Sequence, residues 1–221
     1  MKLYHYFRSS ASYRVRIALN LKGLDYERVA VHLVKDGGQQ LLPAYRAIHA
    51  DALVPALIDG ADDADGATHT LTQSLAIIEY LDELHLQPSL LAPNAVDRAY
   101  VRSLALSIAC DIHPLNNLRV LRYLTGELKV SEEQKDAWYR HWCQQGLQAL
   151  ETTLARDPRV GKCCYGDTPT MADCCLIPQL YNARRFNCDL STMPTILRIE
   201  EYCLSLDAFM MASPEKQPDA A

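Results

Sequence analysis

The first 109 residues of this 221-residue chain contain no cysteine, although the whole chain has eight. Cys110, Cys143, Cys163, Cys164, Cys174, Cys175, Cys188 and Cys203 all lie in the second half, and two of the pairs are adjacent in sequence. Adjacent cysteines do not make a zinc knuckle, which wants ligands spaced apart along the chain, and no secretory context invites disulfides. They are therefore expected to be reduced, mostly structural thiols, packing as small hydrophobes. Long apolar runs are also missing: none approaches the roughly 20 residues a membrane span needs. The amino terminus passes straight into a strand without the layout of a signal peptide, so a cytoplasmic protein with no membrane partner is expected. Positive charge is in deficit, with 22 Lys and Arg against 27 Asp and Glu and a net charge of -5. That balance argues against a broad basic surface for nucleic acid and leaves only local arginine clusters. With 49% apolar and 22% charged residues, the chain has an ordinary globular composition, long enough for one large or two modest domains.

The stretch Arg8-Ser9-Ser10-Ala11-Ser12-Tyr13-Arg14 stands between an apolar, strand-like run (Lys2 to Phe7) and a helix-like run (Val15 to Lys22). A strand that ends in serines and opens into a helix gathers hydroxyls and unpaired backbone N–H groups at the positive end of the helix dipole, a corner suited to an anion. Val15, Ala18, Leu19 and Lys22 fall at helical spacing, and Gly23 is placed to end the helix. Tyr26 to Leu33 alternates as a second strand, and strand-helix-strand predicts parallel pairing. A short helical piece, Gln39 to Ile48, follows.

Val54 to Asp59 reads as a third strand with Pro55 at its second position, a place for a strand start or an edge because proline cannot donate to a ladder. A cis bond there would free the backbone of Val54 to pair with an extended ligand. The acidic segment Asp59 to Gly66 fails as a calcium loop, since Ala61 takes the first ligand position and Thr72 the place of the bidentate Glu; a solvated hairpin connection is expected. A strand over Thr68 to Thr72 leads into Gln73-Ser74 and a helix, with Ser74 as the expected cap and a second place for a carboxylate.

Pro88 and Pro93 flank a linker, and beyond it strand patterns stop. Val101, Leu104, Ala105, Ile108, Ile112 and Leu115 form a helical stripe that Pro114 should kink. A second helix carries Trp138, Trp142, Leu147, Leu150 and Leu154. A third opens at the capping box Thr170-Met171-Ala172-Asp173. A fourth, opened by Pro194, is expected to run to about Ala212, followed by a loose polar tail from Ser213.

Five stretches, in order, cover nearly the whole chain: Tyr6 to Leu19, Leu53-Val54-Pro55-Ala56-Leu57, Gln73 to Leu81, Asp111 to Arg119, and Gly166 to Asp173. Together they resemble the zeta-class glutathione transferases, the isomerases of maleylacetoacetate and maleylpyruvate among them. The first stretch is the specific one; Val54-Pro55, Gln73-Ser74 and the capping box mark the superfamily. The resemblance implies an α/β thioredoxin-like N-terminal domain over residues 1–85, a linker over 86–94, and an all-α domain over 95–221. It also implies a homodimer that uses glutathione as cofactor on a small dicarboxylate substrate.

By the same resemblance, Ser9 would face the glutathione sulfur, with Ser10 and Arg8 as further catalytic candidates and Ala11, Ser12, Tyr13 and Arg14 completing the corner. Val54 would hold the cysteinyl backbone, Gln73 and Ser74 the γ-glutamyl carboxylate, and Gln40 another polar end. His113, Asn117, Leu118 and Arg119 would complete the cofactor set, with Arg8, Arg119 and Arg185, and Arg184 beside it, as ligands for substrate carboxylates. Arg14 and Arg16 are further candidate cations. On an ideal helix His113 and Asn117 share a face, but Arg119 lies about 200° round from Asn117. The implied chemistry is addition of the thiolate to a cis carbon–carbon double bond, rotation, and elimination to the trans isomer, with glutathione regenerated. A cysteine-free first domain suits a borrowed thiol. Ala11 replaces a frequent family cysteine, which is read as dispensable; His49-Ala50-Asp51 replaces Asn-Pro-Gln, and losing an amide for Asp51 predicts weaker glutathione affinity. Besides the two isomerases, a non-catalytic ligand-binding protein of the same fold remains open.

Overall fold

The computed structural model describes residues 1–60 and 68–220; the acidic connection read as a hairpin lies, from residue 61 on, outside them. The chain divides into two compact units, one of Met1–Leu90 with Leu206–Ala221 and one of Leu91–Ser205.

In the first unit, β1 (Lys2–His5), β2 (Glu27–Ala30), β3 (Ala56–Asp59) and β4 (His69–Thr72) form one sheet in the order β2-β1-β3-β4. The β1–β2 pair is parallel, as strand-helix-strand requires, and β3 and β4 are antiparallel additions. Helix α1 (Ser10–Leu21) starts where Ser9 Oγ accepts from Ser12 N, and it ends at Gly23, whose φ of +65° suits a residue without Cβ. Helix α2 (Pro43–Arg46) is short, and α3 (Ser74–Leu84) follows β4. The core is built from Leu3, Val15, Ile17, Leu19, Leu57, Ile77, Ile78 and Leu81, all fully buried. Each contributes about 1.5–3 kcal/mol of apolar burial before chain entropy is counted.

Helices α1 and α3 are tied at two places. Arg14 Nη1 donates to Ser74 Oγ at 3.2 Å, and Lys22 Nζ donates to Asp82 Oδ1 at 2.6 Å. The separation is eight residues in each helix, so the two run parallel and in step, with both amino termini at one end.

The chain division corrects the expectation for the C-terminus. The fourth long helix stops at Leu204, and α9 (Asp207–Met210) with the tail packs in the first unit. Buried donors need acceptors, and the tail supplies them. Tyr13 Oη donates to Phe209 O at 3.3 Å, Asn20 Nδ2 to Ala208 O at 2.9 Å and Arg16 Nε to Ala212 O at 2.9 Å. Phe7 N donates to Asp219 Oδ2 at 2.9 Å. The tail expected to be loose is held by its polar groups.

The second unit is helical: α4 (Ala95–Leu106), α5 (Leu118–Gly126), α6 (Glu132–Arg156), α7 (Met171–Arg185) and α8 (Pro194–Leu204). The expected kink at Pro114 takes the form of a π-helical turn over Ser107–Ile112 followed by a 3-10 turn, Pro114–Asn116. His113 N donates to Ile108 O, a five-residue step, immediately before the residue that has no N–H to give. Gly146 lets α6 approach this turn, since a Cβ there would stand 2.3 Å from Ile112 Cγ1. The box at Thr170 forms as expected: Asp173 Oδ2 accepts from Thr170 N at 2.7 Å and Oγ1 at 2.9 Å. All eight cysteines are free thiols; Cys110 is exposed and the other seven are buried. Among the described residues, no helix is long and apolar enough to cross a membrane.

Candidate functional site

Strand register gathers the first unit's candidates at one end of the sheet. Tyr4 pairs with Ala56, and Ala56 with Thr72, so continuing both ladders by two residues brings Tyr6, Val54 and Ser74 abreast. The same end carries the amino termini of α1 and α3 and the exit of β2 toward Gln40. Tyr6 and Val54 share an apolar cluster with Val31 and Tyr45. The Val54–Pro55 bond is cis, as is Gln87–Pro88. The sheet ladder begins only at Ala56, which leaves the backbone of Val54 beyond it. Tyr45 Oη braces this segment by donating to Leu53 O at 2.5 Å, a bond that nothing in the sequence pattern marks.

Ser9 is half-buried at the cap of α1, where its Oγ accepts from Ser12 N at 3.2 Å. The hydroxyl proton is not used in that bond and can be given to an anion beside the helix terminus. Ser10, Ser12, Tyr13 and Arg14 are buried, Ala11 is half-buried, and among the described residues Ser12 Oγ is a buried hydroxyl with no hydrogen-bond partner. Arg8 is exposed, with its guanidinium carbon 4.8 Å from the centre of the Phe7 ring. Gln40 is 7% exposed, and its Oε1 is likewise unpartnered among the described residues, while Nε2 reaches Leu33 O at 3.4 Å. Asp51 is exposed and His49 buried, and burial pushes the His49 imidazole below its ordinary pKa.

Two expectations are corrected here. The cap of α3 is Gln73, at φ +67°, and Ser74 is the first helical residue, its hydroxyl accepting from Arg14. Arg14 and Arg16 are not open cations for a substrate: they are 2% and 0% exposed. Arg16 is spent on the carbonyls of Phe7 at 3.0 Å and Ala212 at 2.9 Å, and desolvation lowers its pKa to about 10. A helical wheel cannot anticipate this, because the acceptors lie outside α1, on Phe7, Ser74 and Ala212.

In the second unit the expected shared face of His113 and Asn117 does not form. Asn117 has extended backbone and caps α5, accepting from Arg119 N at 3.1 Å, so the ideal-helix angle between them has no meaning. His113 is half-buried at the end of the π-helical turn; Leu118 opens α5 and Arg119 is exposed. Arg184 is paired with Glu200, whereas Arg185 is exposed and donates to Asn182 Oδ1 at 3.0 Å. A cleft of about 430 Å³ beside the π-helical turn, lined by Ser107, Asp111, Trp142 and Gly146 among others, includes none of the expected site residues. Cys163, Asp173 and Cys203 hold possible ligand atoms within 4.8 Å of one another, but the Asp173 carboxylate already accepts from Thr170 and, at 2.8 Å, from Cys164 N. This cluster is core and capping box.

The cofactor implied by the resemblance can be tested against these groups. A thiol tripeptide brings carboxylates, amide edges and a sulfur. The corner offers a capped helix terminus with a hydroxyl, an off-ladder backbone at Val54, a second helix terminus at Ser74 and an orphaned carboxamide oxygen at Gln40. The residues fit.

A mixed four-stranded sheet with α1 and α3 in step, joined in one chain to a helical unit, is the thioredoxin-like plus all-α architecture of the glutathione transferases. The family model for the glutathione S-transferase N-terminal domain matches residues 3–89. The chain is 49% identical over 218 residues to a probable maleylacetoacetate isomerase of Vibrio cholerae, covering 99% of this chain and 97% of that protein. It is 47% identical to a maleylpyruvate isomerase of a Ralstonia species over the whole of both chains. A solved holo structure of maleylpyruvate isomerase, described as a bacterial zeta-class glutathione transferase, superposes with a TM-score of 0.92 at 47% identity and covers both chains fully. A maleylacetoacetate isomerase from Methylobacterium extorquens AM1 with bound malonate and glutathione does so at 0.92 and 41% identity, again with full coverage. The chain belongs to the zeta-class glutathione transferase family of maleylacetoacetate and maleylpyruvate isomerases.

Proposed function

We propose that this protein is a glutathione-dependent cis-trans isomerase that converts maleylacetoacetate to fumarylacetoacetate. The observation that carries the reading is the register that sets Tyr6, Val54 and Ser74 abreast at the end of the sheet where Ser9 caps α1 and α3 begins. Full-length relatives with that activity in their names support it. When bound, glutathione supplies a thiolate that adds to the cis double bond and leaves after rotation, so it is regenerated.

The chain's own residues do the rest. Ser9 donates its hydroxyl proton to the sulfur, and the α1 terminus adds positive potential. Both favour thiolate over thiol, whose free pKa is about 8.5. Ser10 lies directly behind it in the first turn. Val54 presents its backbone to the peptide edge, Gln40 its carboxamide, and Gln73 and Ser74 receive the γ-glutamyl carboxylate. The exposed guanidiniums of Arg8, Arg119 and Arg185 are candidates for the substrate carboxylates, since cations stabilise both those groups and a developing enolate. His113, Asn117 and Leu118 belong to the cofactor set on resemblance alone. The protein is proposed to act in the cytoplasm as a homodimer; exposed Leu84 and Leu86 on the first unit, and Val96 on the second, offer apolar surface for a second copy.

Maleylpyruvate, a shorter substrate of the same chemistry, is the second reading, favoured by the Ralstonia relative at 47% identity. Incubating the protein with each cis substrate, with and without glutathione, and following loss of the cis isomer decides between them. Faster turnover of maleylacetoacetate is expected. No glutathione-dependent isomerisation of either would leave only a ligand-binding role.

A further inference from the structure

We infer that Arg14 is a positioning residue for the cofactor: it acts through Ser74, fixing the direction in which that hydroxyl donates, and so sets the affinity for the γ-glutamyl carboxylate. The inference rests on the glutathione reading above and gives Arg14, which the resemblance placed in the corner without a stated contact, a specific role.

Arg14 is 2% exposed and lies one turn into α1, where a helix facing a sheet ordinarily carries an apolar residue. Its Nη1 stands 3.2 Å from Ser74 Oγ, and Ser74 is itself 6% exposed. A guanidinium has donors and no acceptor, so in this bond the hydroxyl can only accept. Its own proton must then point away from Arg14. Ser74 is the first residue of α3, and the N–H groups of that first turn have no partner within the helix. The hydroxyl proton is thereby left to join those N–H groups in donating to one anion. Without Arg14 the hydroxyl can rotate and spend its proton elsewhere. The buried cation also lies one hydrogen bond behind the anion's seat, where low polarisability strengthens its attraction for a carboxylate. The second tie between the helices, Lys22 to Asp82, holds their spacing independently of Arg14, so loss of Arg14 need not pull α1 and α3 apart.

The test compares two ligands that differ in the γ-glutamyl group, glutathione and cysteinylglycine, by calorimetry on the full chain. Arg14→Met is expected to weaken glutathione at least tenfold and to leave cysteinylglycine within twofold of wild type, with Arg14→Lys recovering part of the loss. In turnover, KM for glutathione should rise while kcat at saturating glutathione stays within about threefold. Because Arg14→Met could fail to fold, Arg14→Lys is also measured in wild-type and Ser74→Ala backgrounds: it should weaken glutathione in the first and change it less than twofold in the second. Equal weakening of both ligands, unchanged glutathione affinity in a folded Arg14→Met, or additive effects of Arg14→Lys and Ser74→Ala would overturn the inference alone. Failure of the wild-type protein to bind glutathione would overturn the proposed function together with it.

Discussion

The backbone N–H of Phe7 donates to the carboxylate of Asp219 at 2.9 Å, across 212 positions of sequence. Two residues later the chain reaches Ser9, so the segment carrying the proposed catalytic hydroxyl is fastened by the Leu206–Ala221 segment. Arg16 reinforces the fastening by donating to Phe7 O and Ala212 O together.

Removing that fastening should affect both stability and turnover. Asp219→Ala is expected to cost about 1–2 kcal/mol, the usual penalty for a buried donor left without its charged acceptor. For a chain of this length that is a fall of roughly 2–8 °C in Tm. Urea unfolding and glutathione-dependent isomerisation measured on the same preparation check it; unchanged values in both would show the tail to be dispensable.

Ser9 and Ser10 should separate cleanly. Ser9→Ala removes the cap, worth about 1 kcal/mol, and the proposed donor to sulfur. Turnover is expected to fall by at least tenfold, and far less in Ser10→Ala. Equal, small effects on the rate would remove Ser9 from the mechanism while leaving it a cap.

Acid should destabilise the first unit through His5. Burial foremost, with Arg16 adding to it, lowers the His5 pKa from 6.5 to about 4. Arg16 Nη1 lies 3.4 Å from Nδ1, and Asp219 Oδ1 4.0 Å from Nε2. The unfolded chain takes up this proton near pH 6.5 and the folded one does not. The stabilisation is therefore complete above pH 6.5, shrinks as pH falls toward 4 and is gone below it, on the order of 3 kcal/mol in all. Urea midpoints at pH 7, 6 and 5 should show a decline that His5→Asn reduces.

The two neighbouring arginines of α7 should behave differently. Arg184 is paired with Glu200, which is buried, so Arg184→Ala should lower stability by leaving that carboxylate unmatched. Arg185→Ala, at an exposed position, should leave Tm within about 2 °C. It should raise KM for the dicarboxylate severalfold; an unchanged KM would exclude Arg185 from the site.

Gly146→Ala should be destabilising by about 1–3 kcal/mol, because its Cβ would meet Ile112 Cγ1 and Cδ1 at 2.3 and 2.6 Å inside a packed interface. Ile112→Val combined with it should recover part of the loss, measured as a double-mutant cycle in denaturant.

Local chemistry made much of this legible in the sequence. The parallel β1–β2 unit, the serine corner ahead of α1, the capping box at Thr170 and the interruption at Pro114 each depend on residues within a few positions of one another, where spacing and side-chain type decide the outcome. The cysteine distribution likewise foretold free and mostly buried thiols. What the tertiary structure decided lies across distance. Pairing β3 antiparallel onto β1, and β4 antiparallel onto β3, brought Val54 and Ser74 abreast of Tyr6. Folding the tail onto the first unit turned Arg16 from a candidate cation into a buried clasp. Packing α1 against α3 turned Arg14 toward Ser74. Hydrogen-bond partners of a buried arginine are chosen by whichever carbonyls and hydroxyls the fold delivers to it, and no periodicity in the chain records that choice.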